Sequence, residues 1–135
     1  MTLNSRLPLA LLLLRLSIFL VMLVWTLDKF INPRHAAAVY EKFYFLSGLG
    51  KEAMFVVGGL ELALLAAFVL GVRKGFSYAA VLVLHGISTL SSYQQYLSPY
   101  EGANILFFAA WPMLAACAAL YLLREQDVLW ILPTR

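Results

Sequence analysis

Four long apolar runs constrain this sequence more than any other feature. They cover residues 7–27, 54–72, 76–92 and 103–123 of a chain of 135 residues. A helix needs about 17–25 residues to cross the hydrocarbon core of a bilayer, which is roughly 30 Å thick. Strands that span membranes are shorter and alternate in polarity. The runs therefore predict an all-α protein, a four-transmembrane-helix bundle that forms a single integral membrane domain over residues 1–135.

The composition supports the same conclusion. Hydrophobic residues make up 63% of the chain and charged residues 13%, whereas soluble domains have about 45–50% and about 25%. A water-soluble domain of this size has too much surface for its volume to hide so many apolar side chains. The lipid bilayer is therefore the predicted partner. The net charge is +3, and the basic residues are scattered over the helix ends. This distribution suits lipid headgroups and argues against nucleic acid as a partner.

The long connection between the first two runs, residues 28–53, carries a pattern of its own. Its apolar side chains recur at the i, i+3, i+4 spacing of one helical face, at Ala36, Val39, Tyr40, Phe43 and Leu46. This spacing predicts a short amphipathic interfacial helix in the first loop, lying on the outer membrane surface. The sequence Ser-Gly-Leu-Gly at residues 47–50 is expected to end it.

The distribution of basic residues predicts the orientation. With the N-terminus in the cytoplasm, the inner side carries Arg6, Arg73, Lys74, Arg124 and Arg135. The outer side then carries Lys29, Arg34, Lys42 and Lys51, which lie in a long loop and are offset by acidic residues. Cytoplasmic loops favour Lys and Arg. We therefore predict a multi-pass protein with both termini in the cytoplasm.

Three ionisable residues lie inside the apolar runs: Arg15, Glu61 and His85. At 1.5 Å per residue they lie about 12, 16 and 14 Å from the inner ends of their spans, close to one level. Opposite charges at one depth should pair, since an unpaired charge in lipid is costly. Two interpretations of an Arg15–Glu61 pair are open. It is either a structural lock between spans one and two, or it tunes Glu61 as a proton-accepting or cation-binding group.

Hydroxyl groups follow His85 along the third run. Ser88, Thr89 and Ser92 lie three, four and seven residues after it, so they share one helical face. One interpretation is an interhelical hydrogen-bond seam. The other is the wall of a small polar cavity or of a quinone headgroup site.

The residues for several kinds of chemistry are missing from the sequence. The chain has one cysteine, Cys117, and two histidines, too few for a disulfide, a thiol redox pair or a zinc site. Residue types and spacing indicate no nucleophile–base pair and no phosphate-binding loop. The sequence therefore predicts no catalytic residues, no metal site and no required cofactor.

Several short motifs resemble those of the DoxX-like family of small four-helix inner-membrane proteins. They are Arg15-Leu16, the run WTLDKFINP at residues 25–33, and GGLEL at residues 58–62 continuing to GVRK at residues 71–74. The likeness covers nearly the whole chain in order and spacing. One departure is Thr26, where the family commonly has glycine. The resemblance implies a four-helix bundle in a bacterial-type cytoplasmic membrane.

The resemblance also implies a function. DoxX-like proteins have been linked to sulfur- and quinone-dependent respiratory oxidoreductases, to redox-enzyme maturation and to protection from oxidative stress. Arg15, Lys29 and Glu61 occupy the family's characteristic polar positions, and Trp25 and Asp28 are further loop candidates. We expect a non-catalytic accessory subunit of such a redox or oxidative-stress system.

The expected partners of the protein are other membrane redox subunits. A quinone is the one cofactor that it could contact. A second copy of the chain is an open alternative. Any activity would be that of a quinone-linked oxidoreductase subunit. The alternative function is a small-solute binder or proton-coupled carrier that uses Glu61.

Overall fold

The computed structural model describes residues 2–133, and its regular structure is entirely helical. The all-α class is therefore confirmed, while Arg135, which was counted toward the inner charge, lies outside the described residues. The α-helices are α1 Leu3–Ile31, α2 Pro33–Tyr44, α3 Lys51–Val69, α4 Lys74–Ser91, α5 Tyr93–Leu97 and α6 Ala110–Leu122. Two 3-10 helices cover Asn104–Ala109 and Arg124–Gln126.

Within residues 2–133, three helical stretches are long and apolar enough to cross a membrane. They are α1, α3 and the 19-residue stretch Asn104–Leu122, in which a 3-10 helix continues into α6. These stretches indicate a membrane protein. The third predicted run forms α4, a helix of 18 residues. It is not among the three, because Lys74 at its start, His85 and its hydroxyl residues lower its mean hydropathy.

Four helices pack around one core: α1, α3, α4 and α6. α1 lies against α3, α4 lies against α6, and the α3–α4 hairpin and the α1–α6 contact close the bundle. All four contribute to the buried cluster of Leu11, Ile18, Phe68, Tyr78, Val81, Cys117 and Leu120. Cys117 is buried in this cluster, where its side chain packs as an apolar group.

The turn between α3 and α4 begins earlier in the chain than the sequence suggested. The second and third apolar runs leave residues 73–75 between them, but the turn occupies the residues just before Lys74, where α4 starts. Gly71 adopts a φ of +68° there, a conformation that costs residues with a Cβ about 1–2 kcal/mol. A Cβ at Gly71 would also collide with the side chain of Ile131. The turn therefore needs glycine both for its conformation and for the close approach of the C-terminal segment.

The predicted helix of the first loop is confirmed as α2. It starts with Pro33, whose fixed φ suits the first helical position, and it ends before Phe45, which takes a left-handed φ of 59°. Leu46, predicted on its apolar face, lies beyond its end. α2 packs along α1 and α3, and the Phe43 ring lies 5.9 Å from that of Phe107. The apolar face therefore contacts the bundle.

Candidate functional site

The ionisable side chains inside the bundle form two separate clusters instead of one polar layer. Arg15 pairs with Asp127, with Nη1 and Oδ2 2.6 Å apart. Glu61 pairs with Lys29, with Oε2 and Nζ 2.9 Å apart. The predicted Arg15–Glu61 pair is therefore wrong. We call Arg15, Lys74, Tyr78 and Asp127 the tail cluster, and Thr26, Lys29, Tyr40 and Glu61 the loop cluster.

The true ends of α1 explain why these pairs replace the predicted one. α1 runs to Ile31, four residues past the end of the predicted span, so Lys29 belongs to the helix and can reach Glu61. α1 also begins at Leu3, which places Arg15 about 18 Å along it. At that level Arg15 faces the C-terminal segment after α6, which turns back into the bundle and supplies Asp127.

The Arg15–Asp127 pair of the tail cluster is fully enclosed. The side chains of Arg15 and Asp127 have no exposed surface. The Tyr78 hydroxyl donates a hydrogen bond to Asp127 Oδ2, and Arg15 Nη1 lies 3.2 Å from the Tyr78 oxygen. Arg15 Nη2 donates to the carbonyl oxygen of Leu129 at 2.6 Å. One guanidinium on α1 thus holds a carboxylate and a backbone carbonyl of the C-terminal segment.

Lys74 holds the same segment from the start of α4. Its Nζ donates to the carbonyl oxygens of Arg124 at 2.9 Å and of Asp127 at 3.0 Å. The amide of Leu132 donates to the Leu70 carbonyl at 2.8 Å. Residues 124–133, which we call the tail, are therefore fixed at one end of the bundle by two cations and one backbone hydrogen bond.

The loop cluster joins α1, α2 and α3. Glu61 Oε2 forms an ion pair with Lys29 Nζ at 2.9 Å. It also accepts a hydrogen bond from Thr26 Oγ1 at 2.9 Å. Glu61 Oε1 accepts from the Tyr40 hydroxyl at 3.3 Å. Lys29 Nζ also lies 5.6 Å from the centroid of the Tyr40 ring, within the range of a cation–π interaction. One carboxylate therefore connects three helices.

The loop cluster is less enclosed than the tail cluster. The Glu61 side chain is 21% exposed and that of Lys29 8%. Burial, and next to it the negative charge of Glu61, raises the pKa of the Tyr40 hydroxyl above its usual range. Tyr40 therefore remains a protonated hydrogen-bond donor near neutral pH. A small molecule that reached Glu61 would find a carboxylate, an ammonium group, a phenol and a hydroxyl together.

The other loop candidates lie outside this cluster. Asp28 Oδ2 is 2.6 Å from His35 Nδ1, and this contact ties the end of α1 to the start of α2. Trp25 is exposed on α1. The structure thus brings Lys29 to Glu61 but places Trp25 and Asp28 in different surroundings.

His85 belongs to neither cluster. Its Nε2 lies 3.1 Å from the carbonyl oxygen of Ala110, which links α4 to α6. Thr89 Oγ1 donates to the His85 carbonyl within α4, and the Tyr96 hydroxyl donates to the Thr89 carbonyl. The Ser88 carbonyl accepts from the hydroxyls of Ser91 and Ser92. Of the interhelical seam that the sequence predicted, only the His85–Ala110 contact joins two long helices. The other bonds stay within α4 and its end or join it to α5.

Sequence reasoning missed four residues of the two clusters: Thr26, Lys74, Tyr78 and Asp127. Asp127 gave no signal in the sequence, because it lies outside the apolar runs in a segment without helical periodicity. Tyr40 was noticed only as part of an apolar face. Among the described residues, no three His, Cys, Asp or Glu side chains lie close enough together to hold a metal ion.

The fold and the two clusters define an all-helical protein with apolar helices of membrane length and internally paired charges. No family model, curated protein or solved structure matches the chain.

The α1–α3 contact next to the loop cluster depends on Gly58. A Cβ there would lie 2.7 Å from the Phe30 ring and 3.4 Å from Lys29 Cβ, whereas one at Gly59 would meet nothing. We expect Gly58→Ala to reduce the free energy of unfolding by about 1–3 kcal/mol through overpacking. Gly59→Ala should raise it by about 0.5–1 kcal/mol through helix propensity.

Thermal unfolding of both variants in the same detergent measures the difference. Equal melting temperatures for the two would show that α1 and α3 do not approach each other at Gly58 as closely as described.

Proposed function

We propose that this chain is a four-span integral membrane protein, similar to the DoxX-like proteins, and that it serves as a non-catalytic accessory subunit of a quinone-linked redox or oxidative-stress system. The observation that carries the proposal is the pairing of the buried charges. Arg15 is bound to Asp127, and Lys29 to Glu61. Charges that neutralise each other in this way brace helices together, which is the role expected of a subunit built to bind partners.

The exposed surface supports lipid and subunit contacts. Apolar side chains cover the outer faces of the long helices, among them Leu13, Leu20, Val24, Val56 and Leu60. Exposed apolar surface that continues over several helices marks contact with a membrane or with another protein. We propose a bacterial-type inner membrane as the location, with both termini in the cytoplasm.

The distribution of polar residues on α4 supports a fourth span. Its exposed positions are apolar at Phe76, Val83, Ile87 and Leu90, while Ser77 and Thr89 are buried. A helix at the surface of a water-soluble protein has the opposite arrangement. Polar side chains that face neighbouring helices lower the mean hydropathy of α4 without exposing a polar group to lipid.

Cysteine labelling tests whether α4 crosses the membrane. In a Cys117→Ala background, we expect Gly75→Cys and Glu101→Cys to react with a membrane-impermeant maleimide from opposite sides, because they lie near the two ends of α4. Gly75 has open space around the position of a Cβ, and Glu101 is exposed. Labelling of both positions from the same side of intact cells would exclude the fourth span.

The loop cluster is our proposed contact for a quinone headgroup. Quinone carbonyl oxygens accept hydrogen bonds, and the donors of Thr26, Lys29 and Tyr40 converge on Glu61. Glu61 remains partly exposed, so the cluster can be reached without unfolding the bundle. The apolar surface beside it would accommodate an isoprenoid chain.

Purification from native membranes tests the proposed function. A chain tagged at its N-terminus, extracted in mild detergent, should recover a stoichiometric protein partner together with a quinone, identified by mass spectrometry. Tyr40→Phe removes one donor and should lower the recovered quinone while the protein partner remains. A protein that stays alone and quinone-free under these conditions would contradict the proposal.

A second function, a cation or proton carrier, is favoured by one observation. The Glu61 side chain is partly exposed, whereas those of Arg15 and Asp127 are fully buried. In proteoliposomes that contain a pH-sensitive dye, an imposed sodium gradient would drive the movement of protons through a carrier. Glu61→Gln would abolish this movement. An equal rate for Glu61→Gln and the unmodified chain would rule the carrier out.

A further inference from the structure

The environment of Arg15 has the composition of an anion site. Arg15 on α1, with Tyr78 and Lys74 on α4, presents two cations and a phenol hydroxyl from helices that pack around one core. All the acceptors opposite them except the Tyr78 oxygen belong to the tail: Asp127 Oδ2 and the carbonyl oxygens of Arg124, Asp127, Leu129 and Trp130. The bundle therefore supplies the donors, and the tail supplies the negative charge.

Asp127 is an incomplete ligand for this site. Within residues 2–133, Arg15 Nε and Asp127 Oδ1 are both buried and have no hydrogen-bond partner. A guanidinium and a carboxylate often pair through two parallel hydrogen bonds, and a buried polar atom left without a partner is costly. The Asp127 carboxylate makes only one hydrogen bond to the guanidinium, through Oδ2. A free carboxylate can turn until it makes both.

The tail also has the features of a removable segment. It has no regular structure after the 3-10 helix Arg124–Gln126. Trp130 takes a φ of +52°, a left-handed conformation that is unfavourable for a residue with a Cβ. Its side chain is exposed, as are those of Val128 and Leu132, while Ile131 packs against Gly71. Few side chains other than Asp127 and Ile131 therefore hold the tail in place.

We propose that Arg15, Tyr78 and Lys74 form a binding site for a small carboxylate, and that the tail occupies this site through Asp127 until a ligand displaces it. The site is distinct from the loop cluster and does not depend on the redox role proposed above. A carboxylate that binds there would release residues 127–133 from the end of the bundle.

Chemical rescue tests the site itself. Asp127→Ala removes the internal carboxylate and should lower the melting temperature. Acetate or formate should then restore much of the loss, whereas chloride at the same ionic strength should not. Asp127→Ala combined with Arg15→Gln should not respond to acetate, because the guanidinium that would bind it is gone. If Asp127→Ala is folded and acetate leaves its melting temperature unchanged, the site does not bind a free carboxylate and the proposal fails.

Labelling of the tail tests displacement in a chain that keeps Asp127. Ile131→Cys in a Cys117→Ala background places a thiol against Gly71, in a position that is partly buried while the tail is docked. Acetate or benzoate at about ten times its dissociation constant should raise the labelling rate about tenfold, by shifting the docked tail to the free state. A rate that is the same in acetate and in chloride would show that the tail is a permanent part of the bundle, and would overturn the proposal even if Asp127→Ala cannot be purified.

Discussion

Replacing Asp127 by alanine is expected to lower the free energy of unfolding by about 3–5 kcal/mol, because it leaves a buried guanidinium without its carboxylate. Neither side chain of the Arg15–Asp127 pair has exposed surface, and the bond between Nη1 and Oδ2 is 2.6 Å long. The Tyr78 hydroxyl loses its acceptor in the same variant. Thermal unfolding in detergent or in nanodiscs, in buffers without small carboxylates, measures the loss.

A double-mutant cycle separates the pair from its surroundings. Asp127→Leu alone leaves the guanidinium unpaired, as Asp127→Ala does, and Arg15→Met alone leaves a buried carboxylate, so the two single variants should cost similar amounts. Arg15→Met combined with Asp127→Leu should recover most of the loss, because apolar replacements of a buried ion pair are often neutral. Additive losses would show that the two residues act separately.

A control on the surface is available two residues earlier in the chain. Glu125 lies 3.7 Å from Arg124 Nε, and its side chain is 78% exposed. Surface pairs contribute little, so Glu125→Ala should change the free energy of unfolding by no more than about 0.5 kcal/mol. A large effect here would indicate that any change in the tail destabilises the protein, whatever the charge.

The apolar runs were sufficient to predict the helices, because backbone groups in an apolar environment must be satisfied within the helix. They were not sufficient to predict where the helices end. The first run stops at residue 27, but α1 continues through Asp28 and Lys29 to Ile31. Charged residues can extend a helix beyond its apolar part, and here those four residues decided which cation reaches Glu61.

The pairing of charges could not be derived from depth alone. Depth restricts a pair to one level, but which faces meet depends on how each helix is rotated about its axis, and that follows from packing between helices. Arg15 and Glu61 fit the depth rule and still found other partners, Asp127 and Lys29. Asp127 lies in a segment without periodicity, so no pattern in the sequence indicates where it goes.

Glu61→Gln is expected to lower the free energy of unfolding by about 1–3 kcal/mol, since it leaves the Lys29 ammonium, which is largely buried, facing a neutral group. Lys29→Met should cost a similar amount. The two together should cost less than their sum, because the Lys29–Glu61 bond of 2.9 Å is lost only once. The loss of free energy of unfolding is smaller for Glu61→Gln than for Asp127→Ala, because residue 61 is partly exposed. The glutamine side chain also keeps an oxygen that can accept a hydrogen bond from Thr26.

The same change should loosen α2 locally. The Tyr40 hydroxyl donates a hydrogen bond to Glu61 Oε1, so Glu61 links α2 to α3. The control variant Tyr40→Phe removes that hydrogen bond and keeps the aromatic ring over Lys29. Hydrogen exchange should be faster in residues 33–44 of Glu61→Gln than in the unmodified chain, with Tyr40→Phe between the two. If α2 kept its full protection in Glu61→Gln, the loop cluster would not be what holds it. The partly exposed carboxylate would then be better explained by a bound ligand than by a brace.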